Sequence, residues 1–124
     1  MKSYKTQRSS MVDKDLTRLQ HMLDSTNAIL SFIKGKSRKN LDTDRLLLSG
    51  IVRELEILGE AAGKVSKETQ NRFSNIPWKQ VIGMRNRLIH AYFNIDHDII
   101  WKTVQDSLPP LATSLKQIVS NYPS

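Results

Sequence analysis

The chain has 124 residues, of which 39% are hydrophobic and 6% aromatic, and it contains no cysteine. That length supports one domain whose core needs no disulfide or metal to hold it together. The absence of cysteine excludes disulfide scaffolds, thiolate metal sites and cysteine nucleophiles. The 19 Lys and Arg outnumber the 12 Asp and Glu, and the net charge of +7 favours a polyanionic partner such as nucleic acid.

Neither a membrane span nor a secretory signal is visible in the sequence. No apolar run approaches the ~20 residues of a span, and the N-terminal segment is basic without an apolar stretch. We therefore expect a cytoplasmic protein. Residues 1–11 lack a helical period and are predicted to form a flexible basic tail, with Met1 and Met11 both open as start sites. A helical domain is predicted over residues 12–120 and a C-terminal tail over residues 121–124.

The first predicted helix runs from Asp13 to Lys34 and is amphipathic. Its stripe follows three- and four-residue steps. The members of this stripe are Leu16, Leu19, Leu23, Thr26, Leu30 and Ile33. Gly35 is predicted to end the helix, and the loop that follows, over residues 34–40, is strongly basic.

A second helix is predicted to begin after Asp42 or Thr43, either of which can cap it, and to end near Gly63. Its main stripe consists of Leu48, Ile51, Leu55, Leu58 and Ala62. Further apolar residues lie off that stripe, namely Leu46, Leu47, Val52 and Ile57. Because more than half of its circumference is apolar, we expect this helix to be buried on two sides.

The polar segment over residues 66–75 predicts no more than a short helical turn. Pro77 suits the first turn of a third helix, which is predicted from Trp78 to Phe93. A fourth helix is predicted to begin at Asp96 or Asp98.

Pro109 and Pro110 are expected to break or kink the chain before a last helix, which Pro123 closes. No segment has the pattern of a strand pair. We therefore predict an all-α antiparallel bundle of four to five helices joined by short connections.

The segment GMRNRLIHAYF, from Gly83 to Phe93, concentrates the residues that could carry chemistry. On an ideal helix with Arg85 at zero, Tyr92 falls at about −20° and therefore on the same stripe. Asn86 and His90 fall at about 100° and 140° and share a second stripe. Arg85 lies between two apolar faces, so it should have a partner, because an unpaired buried charge is very costly.

Structural roles stay open for these residues. Arg85 could pair with Glu56 or Glu60 of the second helix instead of a phosphate. His90 could be a structural histidine, and Tyr92 a core aromatic residue whose hydroxyl reaches water. The histidines lack metal-ligand spacing, and no glycine-rich phosphate loop is present, so we predict neither a cofactor nor a metal.

The segment resembles the motif of the HEPN superfamily (higher eukaryotes and prokaryotes nucleotide-binding domains), in which Arg and His are four to six residues apart. The form here, Arg85-Asn86-x3-His90-x-Tyr92, is similar to that of HEPN ribonuclease toxins paired with minimal nucleotidyltransferase antitoxins. The similarity covers about residues 13–119. It extends through the segments RLQHMLDSTNAILSFIKG, VRELEILGEAAGKVS, NIPWKQVIGMRN and IIWKTVQDSLPPL.

The resemblance implies a toxin of a type VII-like toxin–antitoxin system, acting as a homodimeric, metal-independent RNA endonuclease. It implies catalytic roles for Arg85 and His90, and we expect Asn86 to support them. It also implies that the antitoxin, a minimal nucleotidyltransferase, silences the toxin by transferring AMP to Tyr92. The partners expected are RNA and this antitoxin, in a homodimer or a larger hetero-oligomer.

A second interpretation is a non-catalytic HEPN module that binds a nucleotidyltransferase and helps to present its nucleotide or substrate. Under the first interpretation, charge and position predict that RNA contacts Arg87 and the basic loop. The loop residues are Lys34, Lys36, Arg38 and Lys39.

Overall fold

The computed structural model describes residues 2–90 and 96–122, with side chains described for residues 14–84, 86–87 and 96–122. Within these ranges the chain consists of helices and turns and has no strand, so the all-α prediction is confirmed. The helices are α1 (Lys2–Phe32), α2 (Asn40–Thr43), α3 (Arg45–Lys64), α4 (Lys67–Arg72), α5 (Trp78–His90), α6 (His97–Lys102) and α7 (Leu108–Asn121). Over the same part of the chain, no helix is both long and apolar enough to cross a bilayer.

Helix α3 is the centre of the bundle. It packs against α1 on one side and α5 on the other, while α1 also contacts α7. Its fully buried side chains include Ile51 and Leu58, whereas Leu46 at its start is 86% exposed. The prediction that this helix is buried on two sides is therefore confirmed.

Helix α1 buries a face that is turned relative to the predicted stripe. Leu19 and Thr26 are buried as expected, but Met22 and Ile29 are buried too, whereas Leu23 is only half-buried. The physical reason is that α1 contacts both α3 and α7, so the face it buries is wider than one stripe.

Helix α1 begins earlier than predicted, whereas Gly35 follows its other end as expected. The helix begins at Lys2 instead of Asp13, so most of the predicted tail is helical. Extending an existing helix costs little per residue, and this segment contains no Gly or Pro that would stop it. At the other end, Gly35 has a φ of +74°, a conformation that favours glycine, as expected for a C-terminal stop.

The cap of α3 lies one residue beyond the two predicted candidates. The side chain of Asp44 accepts a hydrogen bond of 3.1 Å from the Leu47 backbone N–H. Thr43 instead ends the short helix α2, which the sequence pattern did not indicate. Leu47 belongs to the core of the bundle, whereas Leu48 of the predicted stripe is half-buried.

A buried carboxylate joins α1 to the start of α4. Asp15 is only 5% exposed and accepts bonds from the Ser66 backbone N–H (3.0 Å), the Ser66 hydroxyl (2.6 Å) and the Thr69 hydroxyl (2.5 Å). Burial alone would raise the pKa of Asp15, but these hydrogen bonds together hold it below its ordinary value. The ionised Asp15 therefore links α1 to the start of α4, although the two elements are distant in sequence.

The chain stays helical through Pro109 and Pro110, whereas a break or a kink was predicted. A single turn of π-helix (Thr103–Ser107), here named the π-turn, connects α6 directly to α7. Pro109 lies in the first turn of α7. The Leu108 backbone N–H donates to the Thr103 carbonyl, five residues back. Because prolines have no N–H and clash with the carbonyl four residues earlier, the chain accommodates them by widening one turn.

Candidate functional site

The helix that carries the motif, α5, is anchored at its start. The Trp78 indole N–H donates to the Phe73 carbonyl at 3.0 Å, and the Trp78 side chain is 8% exposed. In the next two turns, the side chains of Val81 and Met84 are buried. Helix α5 packs against α3, and the motif begins at the residue after Met84.

Arg85, Asn86 and His90 all lie in the last two turns of α5. At 1.5 Å and 100° per residue, Arg85 and His90 are separated by about 7.5 Å along the axis and about 140° around it. Asn86 is exposed, as is Arg87. The side chains of Arg85 and His90, and the whole of Tyr92, lie outside the described part of the chain.

The basic loop after α1 presents three free lysines to solvent. Lys34, Lys36 and Lys39 are exposed, and none forms an ion pair with any residue whose side chain is described. The Ser37 backbone N–H donates to the Asn40 side chain at 2.7 Å, which shapes the turn. The structure thus leaves these predicted RNA contacts accessible.

Arg38, the fourth predicted RNA contact in this loop, has a different environment. Its Nη1 lies 2.9 Å from Oδ1 of Asp42 and its Nε lies 2.6 Å from Oδ1 of Asp98. Hydrogen bonds to these two carboxylates, with Asp42 contributing more, raise the pKa of Arg38 above its ordinary value. Arg38 therefore ties the basic loop to the start of α6.

A histidine joins the same network. Nδ1 of His97 lies 2.6 Å from Oδ1 of Asp42, and the ring donates this bond when the carboxylate is ionised. The bonds from His97 and from Arg38 lower the pKa of Asp42. The sequence does not predict this pair, because no short-range pattern links His97 to a residue 55 positions away.

Helix α6 begins where one of the two predicted caps placed it. The Asp96 side chain accepts from the Asp98 and Ile99 backbone N–H groups, at 2.9 and 3.2 Å. The loop network and this cap both hold the N-terminus of α6, the element that follows the motif segment along the chain.

A cleft of 360 Å³ lies beside Arg87, between α5 and the path from α6 through the π-turn. Its lining includes Lys102 and Asp106, which sequence reasoning missed. No pattern within a few residues links Lys102 and Asp106 to α5, so the sequence does not predict their place in this cleft. Where side chains are described, no group of three or more His, Asp and Glu is arranged to hold a metal ion.

Comparison with known proteins places the chain in a family. The sequence model described as "Ribonuclease HepT-like" matches residues 22–118. The protein therefore belongs to the HepT-like ribonuclease family, which confirms the resemblance inferred from the motif.

Curated relatives agree with this assignment. A protein from Caldanaerobacter subterraneus subsp. tengcongensis, provisionally named an RNase, is 38% identical over 101 residues, which cover 82% of this chain and 90% of that protein. Another so named, from Methanocaldococcus jannaschii, is 34% identical over 93 residues, covering 75% and 85%. A third, from Thermococcus cleftensis, carries a provisional HepT ribonuclease name and is 29% identical over 100 residues, covering 81% and 91%. No solved structure gives a significant match.

Proposed function

We propose that the protein is the toxin of a type VII-like toxin–antitoxin system and that it cleaves RNA without a metal ion. The observation that carries the proposal is the complete motif Arg85-Asn86-x3-His90-x-Tyr92 in a chain of a ribonuclease family. The net charge of +7 supports a polyanionic substrate.

The chemistry uses the ribose 2′-OH as nucleophile. It attacks the adjacent phosphorus, the bond from phosphorus to the 5′-oxygen breaks, and a 2′,3′-cyclic phosphate forms. In this mechanism His90 transfers a proton as base or acid, a role for which an imidazole side chain is suited. Arg85 binds the phosphate oxygens through its planar fork and stabilises their developing charge. Asn86, one turn before His90, orients the imidazole or the substrate by hydrogen bonding.

The site is shared between two copies of the chain. The reaction needs both a base and an acid, and the motif of one chain supplies a single histidine. The separation of about 140° between Arg85 and His90 around α5 also favours a second copy that completes the site. A two-fold interface would bring two copies of α5 together.

The antitoxin silences the toxin at Tyr92. A minimal nucleotidyltransferase transfers AMP from ATP to the tyrosine hydroxyl, and pyrophosphate leaves. The new phosphodiester is two positions from His90, so it obstructs the site by bulk and repels RNA by charge. Mass spectrometry after incubation with the antitoxin and ATP should map AMP to Tyr92. AMP on another residue, or a Tyr92→Phe variant still silenced by AMP transfer, would contradict this role.

Catalysis is tested by alanine substitution. His90→Ala and Arg85→Ala should each reduce cleavage about 10²- to 10⁴-fold while the circular dichroism spectrum stays unchanged. Asn86→Ala should have a milder effect, and EDTA none. The matched controls are His21→Ala and Arg45→Ala, which change exposed residues of α1 and α3 and should cleave normally.

Loss of activity with EDTA and its return with magnesium would contradict the metal-independent mechanism. A protein that binds the nucleotidyltransferase but whose wild type cleaves no RNA would support the non-catalytic module instead.

A further inference from the structure

The cleft beside α5 is a built feature that the proposed chemistry does not use. One wall carries Gln80 and Arg87 of α5, and the other carries Lys102 and Asp106. All four of these side chains are exposed, so the rim is open to solvent. Of these residues, only Arg87 lies within the segment from Gly83 to Phe93 that contains the motif.

The floor of the cleft is apolar. Val81, Met84 and Leu111 line it and are 1%, 9% and 4% exposed. Ile99 lies at its edge and is 57% exposed, so it extends the apolar surface to the rim. A flat apolar group placed in the cleft would cover both the floor and this edge.

The charges at the rim are available to a ligand. No residue with a described side chain forms an ion pair with Arg87, Lys102 or Asp106. The two cations outnumber the carboxylate, so the rim attracts a polyanion. The volume of 360 Å³ lies within the ~300–1,000 Å³ typical of small-ligand sites.

We propose that the cleft binds one unpaired base of single-stranded RNA, which rests on the proposed function because it gives that enzyme a base preference. The base packs on Met84 at the floor and on Ile99 at the edge, and the flanking phosphates bind Arg87 and Lys102. RNA is read mainly through such splayed, unpaired bases.

Asp106 sets the preference. An ionised carboxylate only accepts hydrogen bonds, so it favours a base edge with an exocyclic amino group, as in adenine, cytosine and guanine. In uracil the single ring N–H is flanked by two carbonyl oxygens, which the carboxylate repels. The cleft therefore discriminates against uracil.

The test measures binding without cleavage. Fluorescence anisotropy with 2′-O-methyl oligonucleotides of adenine, cytosine or uracil, equal in length, gives affinities for RNA that cannot be cut. The wild type should bind the adenine and cytosine oligomers about tenfold more tightly than the uracil oligomer. Asp106→Asn should remove this difference, whereas Asp24→Asn, the same change at an exposed position of α1, should retain it. Ser107→Leu, which fills the cleft, should weaken binding of the two preferred oligomers.

Equal affinity of the wild type for all three oligomers, or an unchanged preference in Asp106→Asn, would overturn the proposal. So would a Ser107→Leu variant that alters sedimentation but not RNA binding, because the cleft would then be an interface between copies. Cleavage of unmodified RNA, assayed in parallel, separates the two proposals: cutting without base preference refutes only the cleft, and preference without cutting refutes only the enzyme.

Discussion

At the scale of single residues, Asp15 is the clearest case of a charged group placed inside the fold. Its carboxylate accepts hydrogen bonds from the backbone N–H and the hydroxyl of Ser66 and from the hydroxyl of Thr69. Because the site is buried, a donor left without its acceptor is costly. Removing an acceptor from buried donors costs about 1–3 kcal/mol. Asp15→Ala should therefore lower the free energy of unfolding by that amount at pH 7, measured by urea denaturation.

The same residue makes stability depend on pH. The pKa of Asp15 is lower in the folded protein than the ~3.9 of an unfolded chain, so protonation favours unfolding. The stability that the ionised group provides is present above about pH 4 and is lost as the pH falls towards the folded pKa. The difference between wild type and Asp15→Asn should consequently shrink between pH 7 and pH 3. Asp24→Asn, an exposed change on the same helix, should track the wild type throughout; if it behaves like Asp15→Asn, the link from Asp15 to α4 is not the cause.

At the scale of elements, the sequence predicts well the features that depend on neighbouring residues of the same helix. The main stripe of α3 and the cap at Asp96 follow from spacing and side-chain chemistry that act within a few residues. The burial of Met22 does not, because it depends on a second neighbour, α7, that lies far along the chain. The sequence does not predict the π-turn for a related reason. The prolines predict that the regular α-helical hydrogen bonding is interrupted, but the surrounding packing decides whether the helix ends there or forms one wider turn.

The candidate site also has some features that the local sequence predicts and others that it does not. Helical periodicity places Arg85, Asn86 and His90 together in the last turns of α5 without any structure. The pairing of Arg38 with Asp98, 60 positions away, has no local signal and changes how the basic loop is understood. Arg38 holds α6 in place, while the lysines beside it stay free for ligands.

At the scale of the whole molecule, the charge of +7 predicts binding to RNA that weakens steeply with salt. Each phosphate contact contributes about −0.7 to the slope of log K against log salt for single strands. Replacing Lys34, Lys36 and Lys39 together by Gln should therefore reduce the slope by about 2. Arg38→Gln should leave it nearly unchanged, because that guanidinium is already neutralised by carboxylates.

The control for this prediction removes the same number of positive charges at other positions. Lys14, Lys67 and Lys116 are exposed on α1, α4 and α7, and their joint replacement by Gln should alter the slope little. An equal loss in both triple variants would indicate that only the total charge matters and that the basic loop is not a contact.

The proposed shared site gives a prediction about assembly. Sedimentation velocity at micromolar concentration should detect a dimer, because in the proposed mechanism the motif of one chain supplies only one of the two groups needed as base and acid. A stable monomer that still cleaves RNA would contradict the two-copy arrangement.

The π-turn between α6 and α7 also affects which changes in chain length this protein tolerates. A π-turn is equivalent to an α-helix that has gained one residue, so deleting Gln105 would restore regular helical bonding there if the prolines permitted it. The deletion would rotate α6 by about 100° relative to α7. Ile99 and Lys102 would then turn away from α5. Among homologues, the extra residue and the proline pair are therefore expected to be gained or lost together, as one inherited unit.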